Sequence, residues 1–267
     1  MDEKQLSIDI VGLAGAYSYA LDCIEAELVN ITNKHGKRVA YMSVCMAKYW
    51  NVESDALQDL AICALLHDNA LTQYITEEVK KNPGIDIRDD FLNEKANLHC
   101  IYGESNIAKI PFKTNVSNVI LYHHEHANGK GPFKKTWQEV PLFARIIHLA
   151  DVIDAIANNI KFRQEKWDKC CEFLVKQKGL LFDDECVEAF FEMISKETFV
   201  SLEDGSFESK LWEIVPRKNR CLIGILVKIL QIFLPILLTI NLPLQVDTLL
   251  VLQKRRHSLQ SILDMIF

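Results

Sequence analysis

Glycine and proline are scarce in this sequence, since its 267 residues contain ten glycines and seven prolines. So few turn-forming residues argue against a loop-rich all-β fold, and no stretch shows sustained alternation of apolar and polar residues. An excess of basic residues is also missing, because the net charge is −6 and the isoelectric point is about 5.8. We therefore expect no DNA or RNA partner.

The eight cysteines include no CxxC pair, and the N-terminus carries acidic residues where a secretory signal would carry an apolar run. Most of the cysteines lie in helix-like segments, where a reduced thiol packs as a small apolar group. We therefore expect a reduced, cytoplasmic protein.

Helical periodicity dominates the first 215 residues, in which apolar residues recur at intervals of three and four. The pattern predicts helices over 8–31, from Gly36, from Ser54 to about His67, over about 89–110 and 115–122, from Pro141, and over about 163–178 and 183–199. The predicted fold class is all-α, with no internal repeat in this region, arranged as one domain or two small ones.

Histidine is concentrated between positions 35 and 148, which hold seven of the eight histidines. His67 and Asp68 end one apolar helix, His123 and His124 end another, and Asp151 lies inside a third. A buried carboxylate is costly unless it is paired or binds a metal, and histidine with carboxylate is a ligand set for Zn, Mn or Fe. An aspartate between two such ions can bridge them, and two ions together activate water for attack on phosphorus.

The order of these residues along the chain resembles that of the HD-domain phosphohydrolases, and most closely that of their HD-GYP subgroup. The resemblance covers about residues 35–160. It begins at His35 in NKHGKRVAYMSVCMAKYW, continues through LLHD at 65–68, His99 with Gly103, and HHE at 123–125 followed by NGKG, and closes with ARIIHLADVIDA at 144–155. It implies an HD-domain helical bundle around a binuclear metal site.

The resemblance also implies two divalent transition-metal ions, usually iron or manganese in this family. His35, His67, Asp68 and Asp151 would hold the first ion, and Asp68, His99, His123 and His124 would hold the second. Asp68 would thus bridge the two ions as the catalytic residue. Water activated between them would attack a phosphodiester, and the family's substrates are cyclic dinucleotides, chiefly cyclic di-GMP, or other nucleotides.

The sequence departs from the family pattern in three places. Asn69, Ala70 and Leu71 follow Asp68, where the family has a Gly-Lys whose lysine binds substrate phosphate. The loop at 128–133 reads NGKGPF where the family reads DGxGYP. Ile31 stands where some members carry a glutamate for a third ion, so two ions are expected.

Two basic side chains are candidates for contact with substrate phosphate. Lys130 could replace the missing lysine, and Arg145 lies six residues before Asp151 on the same predicted helix. For Arg145 a structural salt bridge is the alternative. Glu125 follows the histidine pair and could either orient an imidazole or be a surface acid.

The leading functional hypothesis is a metal-dependent phosphodiesterase acting on a cyclic dinucleotide of the cyclic di-GMP type. One alternative is an HD phosphohydrolase on another nucleotide, favoured by the missing Gly-Lys. Another is a catalytically weak signalling or interaction domain, although such a domain has no need of a complete ligand set. The sequence leaves the oligomeric state open.

The last 52 residues differ in composition from the rest of the chain. Residues 216–267 hold seven basic and two acidic residues, and their longest apolar run is 221–244. That run is long enough to span a bilayer, but Lys228 and two prolines interrupt it and basic residues flank both ends, so membrane contact is not favoured. A packed helical element and a frameshifted second HD half are the other two interpretations.

We therefore divide the chain into four parts. They are an N-terminal helix at 1–34, the metal-binding core at 35–160, accessory helices at 161–215, and the apolar basic tail at 216–267.

Overall fold

Helices form nearly all of the regular structure in the computed structural model, which describes residues 7–29, 34–81, 97–217 and 220–221. They are α1 (Ile10–Val29), α2 (His35–Ala47), α3 (Ser54–Leu65), α4 (Leu71–Lys81), α5 (Leu98–Ile107), α6 (Leu142–Asn159), α7 (Arg163–Gln177), α8 (Asp184–Met193), α9 (Lys196–Asp204) and α10 (Phe207–Ile214). A 3₁₀ turn covers Lys48–Trp50. The predicted all-α class is confirmed.

Helix α2 lies at the centre of the bundle and packs against α1, α3, α6, α8 and α10. All of its residues except Lys37 are buried. At its start, a Cβ on Gly36 would lie 2.3 Å from the Ser18 hydroxyl oxygen and 3.2 Å from the Leu65 carbonyl oxygen. A larger residue would have to move the Ser18 hydroxyl and the Leu65 carbonyl, so glycine lets α1, α2 and α3 approach closely and brings the first residue of α2 next to the end of α3.

Helix α4 is absent from the sequence prediction. Its buried residues Leu71, Tyr74 and Ile75 have the spacing of a helix face and the rest of the segment is polar, so the segment carries an amphipathic pattern that the sequence prediction overlooked. The predicted helix over 89–110 is observed as α5, and residues 82–96 lie outside the described part of the chain.

The predicted helix over 115–122 is wrong, because residues 117–124 form successive turns. Asn118 has a φ of +66°, which a right-handed helix does not contain. The Glu104 carboxylate accepts hydrogen bonds from the backbone N–H groups of Asn118, Ile120 and Leu121, at 2.6, 3.1 and 3.0 Å. A side chain from α5 thus binds amides that a helix would have used internally.

The predicted helix over 183–199 is divided into α8 and α9. The Ser195 hydroxyl accepts the N–H of Thr198 and caps α9, so the backbone begins a new helix there. Helix α10 follows and was not predicted.

Two short strands bring the first and last residues of the described part of the chain together. Strand β1 (Ser7–Ile8) pairs antiparallel with strand β2 (Arg220–Cys221). Nearby, Arg217 forms an ion pair with Asp9 at 3.4 Å and stacks on Trp212. The first residues of the predicted tail therefore contact the N-terminal segment, while 222–267 lie outside the described residues. Among the described helices, none is long and apolar enough to cross a membrane.

Candidate metal centre

The structure brings all seven predicted metal ligands together from five segments of the chain. His35 begins α2, His67 and Asp68 follow the end of α3, His99 lies in the first turn of α5, His123 and His124 end the turns at 117–124, and Asp151 lies in the middle of α6. Buried apolar residues of α2, α3 and α6 surround these positions, so the polar side chains converge within the core of the bundle.

The first cluster consists of His35, His67 and Asp151, whose ligand atoms all lie within 4.8 Å of one another. His35 Nε2 is 3.3 Å from His67 Nε2 and 3.3 Å from Asp151 Oδ1. His67 Nε2 is 3.7 Å from the same carboxylate oxygen. Such spacing allows the three groups to share one cation.

The second cluster consists of His99, Cys100, His123 and His124, again within 4.8 Å of one another. His99 Nε2 lies 3.2 Å from His124 Nε2 and 3.5 Å from the Cys100 sulfur. Three of these residues were predicted as ligands, and Cys100 was not. Its position directly after His99 was the only available signal.

Asp68 lies between the two clusters. Its Oδ2 is 3.3 Å from His67 Nε2, while its Oδ1 is 3.3 Å from His99 Nε2 and 3.5 Å from His123 Nε2. One carboxylate therefore faces a histidine of the first cluster with one oxygen and two histidines of the second with the other. This is the arrangement of a bridging ligand.

Hydrogen bonds on the far side of three rings orient them. His67 Nδ1 lies 2.9 Å from the Ala64 carbonyl oxygen, and His123 Nδ1 lies 2.6 Å from that of Ile120. Because a carbonyl oxygen only accepts, each Nδ1 carries a proton, and Nε2 is the atom that faces the clusters and can offer a lone pair to a cation. His35 Nδ1 is held likewise by Asp154 Oδ2 at 2.8 Å.

Asp154 is itself held by a buried arginine. Arg38 donates from Nε to Asp154 Oδ1 at 2.6 Å and from Nη2 to Oδ2 at 2.8 Å. Asn158 donates to Oδ2 at 3.0 Å. The carboxylate that orients His35 is thus fixed from three sides.

The residues present fit a pair of divalent cations. Asp68 Oδ1 and His123 Nε2 are buried 3.5 Å apart, and neither makes a hydrogen bond of good geometry to the described residues. Leaving buried polar atoms without partners is costly, and a cation between the carboxylate and the imidazole nitrogens removes that cost. Imidazole and carboxylate donors suit transition metals such as iron, zinc and manganese.

Without a cation, the pairing of imidazoles with carboxylates shifts the pKa values of both kinds of group. Burial alone would lower the pKa of His35, but hydrogen bonds to Asp151 and Asp154 raise it to about 10. Burial also acts to lower the pKa of His123, which the neighbouring Cys100 and Asp68 raise to about 9. For Asp151, burial acts to raise the pKa, but the hydrogen bonds of His35 and His67 lower it. A binding cation must therefore displace protons from imidazoles.

The pKa values of two neighbouring groups, His124 and Cys100, are lowered. Burial, together with the charges of His123 and His99, lowers the pKa of His124. Burial would raise the pKa of the Cys100 thiol, but the same two histidines lower it to about 6.

The loop that follows the histidine pair is folded back by Glu125. This buried carboxylate accepts the backbone N–H groups of Phe133 and Lys135, at 2.5 and 2.6 Å. A Cβ on Gly131 would lie 2.7 Å from Glu125 Cα, so glycine is required where the loop returns. Glu125 is therefore neither a surface acid nor an imidazole partner in this structure; it holds the loop.

The two predicted phosphate contacts lie in different settings. Lys130 is exposed on this loop, and its backbone N–H donates to Asn128 Oδ1. Arg145 forms an ion pair with Asp183 at 3.3 Å and stacks on Trp137. Among the described residues, the structure thus brings Arg145 to Asp183 and Trp137 rather than to the seven ligand residues.

The three residues after Asp68 form part of the core. Asn69, Ala70 and Leu71 are all fully buried. Asn69 donates to the carbonyl oxygens of Leu66 and Gly103, and its own oxygen accepts from Asn106. This network joins the end of α3 to α5, so the position of the family's phosphate-binding lysine is occupied by packed, uncharged side chains.

The sequence profile of a known family, described as an HD domain, matches residues 22–186, more than half of the chain. The chain belongs to the HD-domain family. This match confirms the predicted resemblance to HD-domain phosphohydrolases of the HD-GYP-like subgroup. Two similar proteins and a solved structure support it as well.

One similar protein is the cyclic di-GMP phosphodiesterase response regulator RpfG of Xanthomonas campestris, which is 28% identical over 156 residues, or 57% of this chain and 41% of that protein. Another is the 3'3'-cGAMP-specific phosphodiesterase 3 of Vibrio cholerae, 25% identical over 114 residues, or 42% of this chain and 24% of that protein. The matches thus span less than half the length of either relative.

The crystal structure of a cyclic GMP-AMP-specific phosphodiesterase of Vibrio cholerae, V-cGAP3, has the same fold. The TM-score is 0.69 at 21% sequence identity, over 86% of this chain and 60% of that chain. At this low sequence identity, the similarity between the two structures establishes a shared fold, the HD-domain helical bundle.

Proposed function

We propose that this chain is a metal-dependent phosphodiesterase that hydrolyses a cyclic dinucleotide. The observation that carries the proposal is the position of Asp68, whose two carboxylate oxygens face two separate clusters of histidines. A carboxylate with a purely structural role would not have to face two histidine clusters, whereas a ligand that bridges two cations must. The names of both similar proteins, each a phosphodiesterase of a cyclic dinucleotide, support the substrate class.

Two divalent cations, iron or manganese, would polarise the phosphodiester and lower the pKa of a water molecule at the site. The residues of the chain provide the frame for this chemistry. His35, His67 and Asp151 would hold one cation, His99, His123 and His124 would hold the other, and Asp68 would contact both. The carbonyl oxygens of Ala64 and Ile120 and the carboxylate of Asp154 keep three rings turned toward the cations.

We expect Lys130, rather than Arg145, to contact the substrate. Its side chain is exposed on the loop that Glu125 holds next to His123 and His124, while Arg145 is already paired with Asp183. We propose that Lys130 contacts a substrate phosphate and that Arg145 fixes the position of α6.

The free thiols of the described cysteines fit a reducing compartment such as the cytoplasm.

Hydrolysis of another nucleotide is the second candidate, and the burial of Leu71 favours it. In the family pattern a lysine near this point binds substrate phosphate, and here the side chain is apolar and fully buried. A phosphodiester with a different arrangement of phosphates would not need that lysine.

A hydrolysis panel tests the proposal. The protein is purified under reducing, oxygen-free conditions with manganese or iron, its metal content is measured, and cyclic di-GMP, 3'3'-cGAMP and other nucleotides are offered. We expect about two ions per chain and ring opening of a cyclic dinucleotide. Turnover of other nucleotides alone would select the second candidate. Fewer than about one ion per chain, or no turnover of any nucleotide by the loaded protein, would overturn the proposal.

A further inference from the structure

Cys100 is a fourth donor in the second cluster, which the family's ligand pattern does not include. It is fully buried beside His99, and its sulfur lies 3.5 Å from His99 Nε2. The donor atoms of Cys100, His99, His123 and His124 all lie within 4.8 Å of one another.

The distances agree with shared coordination of one cation. Transition-metal bonds are about 2.0–2.1 Å to imidazole nitrogen and about 2.3 Å to thiolate sulfur. At ligand angles from a right angle to tetrahedral, these lengths place sulfur and nitrogen about 3.1–3.6 Å apart, and two nitrogens about 2.9–3.4 Å apart. The observed separations of 3.5 Å, Cys100 to His99, and 3.2 Å, His99 to His124, lie inside these ranges.

We propose that Cys100 is a thiolate ligand of the cation in the second cluster, alongside His99, His123, His124 and Asp68. This inference rests on the proposed function, because it requires that the cluster hold a cation. It adds a soft donor to a set made otherwise of nitrogen and oxygen.

A thiolate changes which metal the cluster prefers. Thiolate sulfur favours iron, cobalt and zinc, whereas sites of carboxylate and imidazole alone also accept manganese. The second cluster should therefore discriminate against manganese, and the first cluster, with His35, His67 and Asp151, should not. Replacement of Cys100 by serine should shift the second cluster toward manganese.

Cobalt(II) reports on the thiolate without any activity measurement. Metal-free protein is titrated with cobalt, whose visible d–d bands report imidazole and carboxylate coordination and whose near-ultraviolet charge-transfer band reports a thiolate ligand. We expect both signals in the unmodified chain. The charge-transfer band should be lost in Cys100→Ser and kept in Cys170→Ser, which removes an equally buried thiol from α7.

The outcomes separate this inference from the proposed function. Visible bands with no charge-transfer band, or with a band that survives Cys100→Ser, overturn the role of Cys100 and leave the metal centre in place. Absence of both signals overturns the metal centre and the thiolate ligand together. If Cys100→Ser does not fold, X-ray absorption of the unmodified cobalt protein decides, since a sulfur neighbour at about 2.3 Å supports the inference and a shell of nitrogen and oxygen alone overturns it.

Discussion

Asp68 is the side chain that contacts histidines of both clusters. Asp68→Asn keeps the size of the group and removes the charge that faces His67 on one side and His99 and His123 on the other. We expect bound metal to fall from about two ions to one or fewer and hydrolysis to become undetectable. Elemental analysis and the nucleotide assay check this.

Asp59 provides a matched control on α3, the helix that precedes Asp68. It is as deeply buried as any residue in α3, and its Oδ2 accepts the backbone N–H groups of Lys113 and Thr114. Asp59→Asn should lower the stability and leave the metal content unchanged. If Asp68→Asn keeps its metal and activity, the bridging role is wrong.

Asp154 contacts His35, so we expect it to influence metal binding through that ring. Asp154→Asn weakens the hydrogen bond that turns His35 Nε2 toward the first cluster, and changes of this kind reduce metal affinity about 10–100-fold. Metal competition with a chelator measures the effect. Asn158→Ala removes one bond to the same carboxylate and one to the Asp154 carbonyl oxygen but leaves the bond to His35, so it should have a smaller effect. Equal affinity in both variants and the unmodified chain would contradict a positioning role.

Asp22 should lower the stability of the metal-free protein at neutral pH. Burial raises its pKa from 3.8 to about 6, despite the opposing effects of His35 and of the Gly36 N–H that its Oδ1 accepts. Its contribution is favourable when protonated, below about pH 4, and is lost as the pH rises through about 6. Asp22→Asn should therefore stabilise the metal-free chain by up to about 3 kcal/mol at about pH 8.

Urea unfolding at several pH values, with a chelator present, checks this expectation. The gain of Asp22→Asn should shrink as the pH falls from about 6 toward 4. A gain that does not depend on pH would mean that the charge of Asp22 is not its cause.

Among the elements, the turns at 117–124 are held by a residue of another helix. Glu104 of α5 accepts three backbone N–H groups there, just before His123 and His124. Glu104→Gln cannot accept all three in the same way, so we expect a loss of about 1–3 kcal/mol of stability and weaker binding in the second cluster. Chemical unfolding and cobalt titration measure both effects.

Glu188→Gln is the control for Glu104→Gln, because Glu188 is an exposed partner of Lys178 on α8. It should change the stability by less than about 1 kcal/mol. If the two variants behave alike, the turns do not depend on Glu104.

The same element shows what the sequence could and could not predict. Regular apolar spacing predicted α2, α3, α6 and α7 within a few residues, since each buries one face against the bundle. The apolar residues of 115–122 have helical spacing too, but the Glu104 carboxylate comes from another helix, and local pattern carries no information about it.

At the scale of the whole molecule, five of the ligands were noticed because histidine and aspartate are rarely placed in apolar segments without a reason. His35 and His99, and the division of the ligands between two ions, came from the resemblance to HD-domain phosphohydrolases. The surrounding contacts were not predicted, since they join residues far apart in the chain. Asp154 reaches His35 across 119 positions, and Asn69 reaches Asn106 across 37. Only the folded bundle brings such residues together.

The body described by the structure should fold and bind metal without residues 222–267. Arg217 and β2 contact the N-terminal segment, so truncation after Cys221 keeps these contacts and removes the sequence richest in Leu and Ile. We expect unchanged metal content and higher solubility, because exposed apolar patches promote association. Circular dichroism, elemental analysis and sedimentation check this, and loss of the helices would make the tail part of the fold.

The origin of the tail has a separate test. If it is a frameshift product, the neighbouring reading frame from about codon 220 should encode an HD-like sequence. Stop codons in that frame would exclude a frameshift and leave a membrane segment or a packed element.

The pairing of β1 with β2 has a topological consequence. Because Ser7 lies opposite Cys221, the two ends of the described body leave it side by side. A domain fused before residue 7 and one fused after residue 221 would thus start from the same edge of the molecule. A short linker could even join the two ends, with new termini opened at the exposed turn Lys161–Phe162, and this circular permutant would keep every ligand in its place around the cations.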